Sequence, residues 1–410
     1  CKNMYMINRN IKNFVHDIIM KYNKMAFISG PRQTGKTTLA KSILKDFLQG
    51  VYFNWDIIED QKKITNNPYF FQYENRDIAK KFLVVYDEIH KYYNWKNYLK
   101  GVYDGYSNEF SFIITGSGRL DFFKKGGDSL FGRYFGINLF PFSCGEILNI
   151  FPLWKDFKEN LKNIDYSSDL RESYEQIFKF SGFPEPYIRN SENFYNIWHN
   201  ERRILLIRED IRNAYALKEI SSIEILSNIL TEKIGSPLSI NSLTEDVKSS
   251  YNSIKNWLLI LEQFYYFFRI LPFYKSIARS LKKEPKIYLY DWAEIKDEGK
   301  RFENVVAFHL YKGVNLWKNT GHGDLDLFYI RDKEKREVDF LITEKNIPIL
   351  LIETKLNDEE ISKNLIYFQK KLNIKMAVQV VHKKNVYKKI NEEGFDIWVI
   401  SADKFLKLFP

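Results

Sequence analysis

MAFISGPRQTGKTTLAKSILKDFL, running from Met25 to Leu48, decides the fold of this chain. An apolar stretch, Met25 to Ser29, breaks into a turn bearing Gly30 and Gly35, and the chain re-emerges over Thr38 to Leu48 as an amphipathic helix. Gly30, Gly35, Lys36 and Thr37 fill GxxxxGK followed by Ser or Thr without a gap, and the flanking strand and helix are the setting that a phosphate-binding loop needs. The two glycines let the backbone turn its N–H groups onto phosphates, and the helix N-terminus adds positive potential. Lys36 then reaches the β/γ-phosphates of a nucleotide, Thr37 holds magnesium, and Pro31, Arg32, Gln33, Thr34 and Thr38 complete the cradle.

Working outward, Val51 to Phe53 reads as a short strand, and Phe82 to Tyr86 as a central parallel strand, apolar on both faces and ending in Asp87-Glu88. The carboxyl ends of such strands are where ligands sit in open α/β sheets. Asp87 is therefore expected to hold hydrated magnesium and Glu88 to polarise the attacking water. The strand Phe110 to Ile114 delivers Thr115-Gly-Ser117 to the same edge, with either hydroxyl a candidate sensor of the γ-phosphate or the water. Arg133 precedes a further apolar strand, Tyr134 to Phe140, and is a candidate finger for the transferred phosphate, in cis or across an oligomer interface.

Taken together, Gly30-Pro-Arg-Gln-Thr-Gly-Lys-Thr-Thr, Tyr86-Asp-Glu, Ile114-Thr-Gly-Ser, Leu130-Phe-Gly-Arg, Phe140-Pro-Phe-Ser with Glu146, and Ser181-Gly-Phe-Pro-Glu-Pro form an ordered series. It resembles the prokaryotic AAA-type P-loop ATPases that carry a C-terminal domain of unknown function. The resemblance extends to the C-terminus, and it implies an AAA-type parallel sheet with a helical lid, a winged helix-turn-helix and a nuclease-like domain. The expected boundaries are 1–145 for the ATPase core, 146–220 for the lid, 221–285 for the winged helix and 286–410 for the last domain.

The middle of the chain has helical periodicity from Glu146 to Ala216, interrupted at Gly182-Phe-Pro-Glu-Pro. Arg203 and Arg208 on its last helix are candidates for a second phosphate sensor, weighed against a solvated helix face. Helices over Ile223 to Ile234, Ile240 to Val247 and Asn252 to Gln263, followed by an aromatic strand pair, suggest a winged helix. Asn252, Lys255 and Asn256 would face a DNA groove if its third helix reads DNA. Leu271 to Lys286 reads as basic loop.

Beyond it, a helix from Lys300 to Tyr311, strands holding Glu337-Val-Asp339 and Ile352-Glu-Thr-Lys355, a helix from Ser362 to Leu372 and two more strands give an αβββαβ order. This resembles the PD-(D/E)xK, restriction-endonuclease-like α/β fold. Alternation along a strand places Glu353 and Lys355 on one face, and an antiparallel neighbour can bring Asp339 beside them. Asp339 and Glu353 are thus candidate divalent-metal ligands, Glu303 a supporting one, and Lys355 the cation that stabilises developing charge. The proline that precedes the first acid in that motif is absent.

Composition narrows the alternatives. The two cysteines, Cys1 and Cys144, exclude a disulfide framework and a cysteine-based zinc site. No apolar run approaches membrane-spanning length, and the first twenty residues are punctuated by charges, so a cytoplasmic protein without membrane contact is expected. Cys rather than Met at position 1 suggests a truncated chain, with Met4 and Met6 as alternative natural starts. Net charge of +10 suits contact with a polyanion, although Lys and Asn are abundant throughout. Neither HExxH nor GxSxG occurs, which leaves a peptidase without support. The expected activity is ATP binding and Mg2+-dependent hydrolysis driving a conformational change, coupled to DNA binding or cleavage. The alternative is a nucleotide-switched ATPase that binds a protein partner through a non-catalytic nuclease-like scaffold, and a homo-oligomer is compatible with either.

Overall fold

Strands covered on both faces by helices read as unbroken apolar runs, and Met25–Ser29, Phe82–Asp87 and Phe110–Thr115 are buried at every position. The computed structural model describes residues 7–116, 130–164, 169–215, 219–274 and 283–410. These fall into two compact units: residues 8–140 with 263–265, and residue 7 with 141–262 and 266–410.

In the first unit, strands β1 (Met25–Ser29), β2 (Gly50–Asn54), β3 (Phe82–Asp87), β4 (Phe110–Thr115) and β5 (Tyr134–Asn138) form one sheet. Its order is β2-β3-β4-β1-β5 and every pairing is parallel. An aromatic core of Phe27, Phe53, Phe71, Tyr86, Trp95, Phe110 and Phe112 packs on it. The register sets Ile28, Thr115, Asp87 and Asn54 side by side along the carboxyl edge. Helix α1 (Lys36–Asp46) begins two residues before the sequence-based expectation, because Gly35 sits in the left-handed region (φ 91°) and serves as its N-cap. Helix α2 (Trp95–Tyr106) buries Trp95, Tyr98, Leu99 and Val102.

The second unit starts helical. Helix α3 (Glu192–Ile204) continues into a π-helical turn, Leu205–Ile211, and then come α4 (Ile220–Glu232), α5 (Ile240–Val247) and α6 (Tyr251–Gln263). Asn252, Lys255 and Asn256 lie exposed on α6, whereas Ile254, Trp257, Leu258, Ile260 and Leu261 are buried. The strand pair that follows, β6 (Phe267–Pro272) with β7 (Lys286–Leu289), is antiparallel. It does not stop there: β6 also pairs in parallel with β8 (Leu325–Arg331) through Leu271 and Pro272. Strands β9 (Glu337–Glu344), β10 (Ile347–Lys355), β11 (Met376–Val381), β12 (Tyr387–Glu392) and β13 (Phe395–Ser401) complete an eight-stranded sheet of order β12-β13-β11-β10-β9-β8-β6-β7. Helix α7 (Glu298–Asn319) precedes β8, and α8 (Lys363–Leu372) joins β10 to β11. The helix, three strands, helix, strand order is present, with α7 running eight residues past Tyr311 and a hairpin strand, β12, added. The expected boundary at 285/286 cuts through this sheet, because the extended pair preceding it is hydrogen-bonded into the same ladder.

Helix α7 is capped at Asp297, whose side chain accepts from Lys300 N at 2.8 Å, and it runs through the core of its unit. Its His309 is fully buried, with Nε2 accepting from Cys144 N at 3.0 Å and Nδ1 donating to Val305 O at 2.7 Å. The bond accepted from Cys144 N requires a neutral ring with its proton on Nδ1. Burial pushes this imidazole down to about 3, and Lys312 acts in the same direction, while Val305 O and Glu146 oppose. The unfolded chain binds a proton here below pH ~6.5 and the folded chain does not, so this stability is present above that pH and lost as pH falls toward 3. From pH 7 to pH 5 the histidine should cost about 2 kcal/mol of unfolding free energy. Urea unfolding of wild type and His309→Gln across that range checks it: the difference between the two curves should track pH, and a constant difference would refute the assignment.

Candidate functional site

At the carboxyl edge of the first sheet, the loop leaving β1 turns through Gly30 (φ 148°), where a Cβ would fall 2.3 Å from the carbonyl oxygen of Leu139, so only glycine fits. Gln33 (φ 66°) and Gly35 are left-handed, and open space surrounds the position a Gly35 Cβ would take. Gln33 Oε1 is buried without a hydrogen-bond partner. Lys36 is buried, and its ammonium is held over the loop by Gly30 O at 3.0 Å and Pro31 O at 2.7 Å. Thr34 Oγ1 braces the turn by donating to Pro31 O at 2.9 Å.

Asp87 is the hub of the edge. Its Oδ2 accepts from Thr37 Oγ1 at 2.7 Å and from Tyr52 OH at 2.6 Å, and its Oδ1 accepts from Thr115 Oγ1. Thr115 can do this because β4 lies between β1 and β3. Ser117, the other sensor candidate, lies outside the described residues. Glu88, one step beyond β3, adopts a left-handed backbone (φ 57°, ψ 20°) and is held there by its N–H donating to Thr115 O at 3.0 Å. Burial raises its carboxyl above the usual range, with Lys91 and Lys36 opposing. His90 Nε2 stands 3.5 Å from its Oε2. A hydroxyl and a carboxylate facing each other at one sheet edge are the hard oxygen donors that Mg2+ takes. Thr37 and Asp87 would hold that ion, and the helix start at Lys36 with Gln33 and Gly35 would take the phosphates.

Arg133 lies elsewhere. Tyr134 pairs with Met25 at the start of β1, and Met25 N donates to Arg133 O at 3.0 Å, so Arg133 marks the amino edge of the sheet. The five residues of β1 separate it from Gly30 by roughly 15 Å. Its guanidinium makes a bidentate pair with Asp104 of α2, Nε to Oδ1 at 2.6 Å and Nη2 to Oδ2 at 2.9 Å. In the second unit, Arg203 Nη2 donates to Glu224 O at 3.1 Å and Ser227 Oγ at 3.0 Å, and Arg208 pairs with the Glu224 carboxylate at 2.6 Å. Both arginines are thereby tied to α4.

The acids of the second unit do converge. Asp339 on β9 accepts at Oδ2 from Thr354 N (2.9 Å) and Thr354 Oγ1 (2.7 Å) on β10, and Glu353 pairs with Lys355 at 2.9 Å. Glu353 Oε2 is buried without a hydrogen-bond partner. Glu303 on α7 completes the group, backed by Gly235 (φ 74°), where a Cβ would come 2.7 Å from Glu303 Oε2. In their midst sits Lys286, its side chain 1% exposed, with Nζ 2.7 Å from Glu337, 3.2 Å from Glu303 and 3.5 Å from Asp339. Burial and the Asp339 charge push Glu303 up to about 7 against the pull of Lys286, and the same two causes raise Glu353 to about 7 against Lys355. Among the described residues, no group of three or more His, Cys, Asp or Glu is arranged to hold a metal ion. The ammonium of Lys286 takes the space between Glu303, Glu337 and Asp339.

Sequence reasoning did not single out Lys286, Tyr288 or Tyr52. The signal for the first two was strand alternation: Lys286 and Tyr288 head an apolar strand two residues apart, and both reach Glu303, the tyrosine at 2.7 Å.

Three family models match the chain in succession. Residues 22–148 match the family model described as AAA domain, residues 171–293 a domain of unknown function (DUF8612) and residues 298–404 another (DUF4143). No curated protein matches. Similar solved structures include a DNA replication initiation factor (15% identity, TM-score 0.28, 63% of this chain and 90% of that one) and a katanin structure on self-assembly (14%, 0.28, 62% and 88%). A Bacteroides Pif1 helicase with ADP-AlF3 and single-stranded DNA aligns at 17% identity and TM-score 0.24 over 42% of this chain and half of its own. At these TM-scores the alignments carry no argument about the chain as a whole. No helix among the described residues is long and apolar enough to cross a membrane. The parallel five-stranded sheet, its glycine-turned phosphate loop and the family match make residues 22–148 a P-loop AAA domain.

Proposed function

We propose that the first unit binds ATP with Mg2+ and hydrolyses it, and that turnover drives a conformational change used by the second unit. One observation carries this reading: Asp87 is joined to Thr37 at the start of the phosphate-loop helix and to Thr115 on the intervening strand. Bound there, Mg2+ would neutralise phosphate charge as it develops on the leaving group. Thr37 and Asp87 hold the ion, Lys36 meets the phosphate charge, Glu88 orients and deprotonates water, and Thr115 positions the carboxylate between them. Full-length protein should release phosphate from ATP with Mg2+ and none with EDTA; equal rates in both would refute the reading.

For the second unit, the proposed role is engagement of DNA, supported by the chain's net charge of +10 and the exposed Asn252, Lys255 and Asn256 on α6. A protein-interaction scaffold is the competing role, favoured by a lysine buried among the carboxylates that a nuclease would need for metal. DNA binding that weakens steeply with salt and accelerates ATP turnover supports the first; its absence beside a stable protein partner supports the second.

Arg133 can serve a nucleotide only across an interface between copies, since the length of β1 separates it from its own loop. Mixing Arg133→Ala with Glu88→Gln should then regain up to about a quarter of wild-type turnover, from the interfaces that pair an intact Arg133 with an intact Glu88 site, if hybrid interfaces form. Turnover that never exceeds the sum of the two inactive parents, at any protein concentration, would assign Arg133 to its Asp104 pair alone.

A further inference from the structure

We infer that Lys286 stands where a nuclease of this fold would hold its divalent cation, so that the acidic cluster of the second unit is metal-free and the unit does not cleave phosphodiesters. The inference is independent of the ATPase reading, which concerns the other unit.

An ammonium has three donors and no acceptor. Lys286 offers them to three carboxylates on two elements, Glu303 on α7 and Glu337 and Asp339 on β9, at 2.7 to 3.5 Å. The contacts to Glu337 and Glu303 are at hydrogen-bond distance and the one to Asp339 is an ion pair, and together they set a cation that the chain supplies itself among these three acids. Three of the four acids are committed as well, and the fourth, Glu353, pairs with Lys355 and keeps Oε2 buried without a hydrogen-bond partner. Asp339 gives Oδ1 to Lys286 and Oδ2 to the Thr354 N–H and hydroxyl. Glu303 Oε1 is shared by Lys286 and Tyr288 OH, and Glu337 divides itself between Lys286 and Arg331, the latter at 3.1 Å. Magnesium and manganese demand a close shell of oxygens, several of them waters. Here the ammonium takes that space, and a dication brought beside it would meet like charge in a buried setting.

Lys286 is no loose surface side chain folded inward. It opens β7, pairs through its backbone with Ile270 of β6 and bridges to Pro237, and the Tyr329 ring lies 5.5 Å from its ammonium. Gly235 supplies the wall behind Glu303. The cluster thus ties β7, α7 and β9 together through one charge, the work that a bound ion does in a metal-dependent site. Removing one member of such a buried group leaves the others uncompensated, and a dication then becomes the natural replacement.

The test is a Mn2+ titration of the full chain without nucleotide, followed by calorimetry and by paramagnetic resonance of free Mn2+. Wild type should show no Mn2+ site that Asp339→Asn removes. Lys286→Met should gain one such site, binding at least tenfold tighter than wild type, and Lys286→Met with Asp339→Asn should lose it again. Should Lys286→Met alone fail to fold, its double variant with Glu337→Gln, which removes one uncompensated charge, is titrated instead with the same expectation. A wild-type site that depends on Asp339, nicking of plasmid DNA by wild type that Asp339→Asn abolishes, or no gained site in either lysine variant would each overturn the inference.

Discussion

Glu88→Gln should bind ATP about as tightly as wild type and turn it over at least a hundredfold more slowly. A positioned general base contributes about 10²- to 10⁴-fold to such a reaction, and glutamine keeps the size and the carbonyl oxygen of glutamate while losing the ability to take a proton. The backbone here is unusual, left-handed at φ 57°, but glutamine meets the same cost as glutamate, and the bond from residue 88 N to Thr115 O is untouched. Asp87, Thr37 and Lys36 remain in place, so ion and phosphate binding should survive. Burial lifts the Glu88 carboxyl above the usual range, which makes it a stronger base when ionised. Single-turnover phosphate release, with fluorescent-nucleotide binding measured alongside, separates the two steps. Equal rates in variant and wild type would remove Glu88 from the chemistry.

Lys36→Ala is expected to weaken ATP binding by about a hundredfold while leaving adenosine binding unchanged. Each charge-assisted hydrogen bond contributes about 1.5–3 kcal/mol, and losing two at the low end of that range amounts to about 3 kcal/mol, two decades in affinity. The adenosine comparison matters because Lys36 also holds the loop through Gly30 O and Pro31 O. If its role were only to brace the loop, adenosine and ATP would lose affinity together, and the melting temperature would fall with them.

Most of the first unit was legible in the sequence because its signals are local. A strand apolar on both faces, a glycine turn and a helix fix Gly30 to Thr37, and Asp87-Glu88 ends a second such strand. Strand order was not local, and with it came the partnership of Thr115 with Asp87 and the placement of Arg133 at the far edge. Tyr52 was missed for the same reason: its hydroxyl reaches Asp87 from the neighbouring strand, which only the β2–β3 register reveals. In the second unit, period-two alternation brought Asp339, Glu353 and Lys355 to one place. It did not reveal the lysine among the acids. Lys286 ends a basic stretch that reads as solvated loop, and its burial depends on a helix and two strands that follow it in the chain.

The ladder running from β7 through β6 into β8 has a consequence for inheritance. The segment matching one family ends at residue 293 and the segment matching the next begins at 298, yet their strands share one sheet. Separated near that junction, each piece would present a raw strand edge, ready to pair with whatever chain it met. Recombination that respects the fold must therefore carry both segments together or neither.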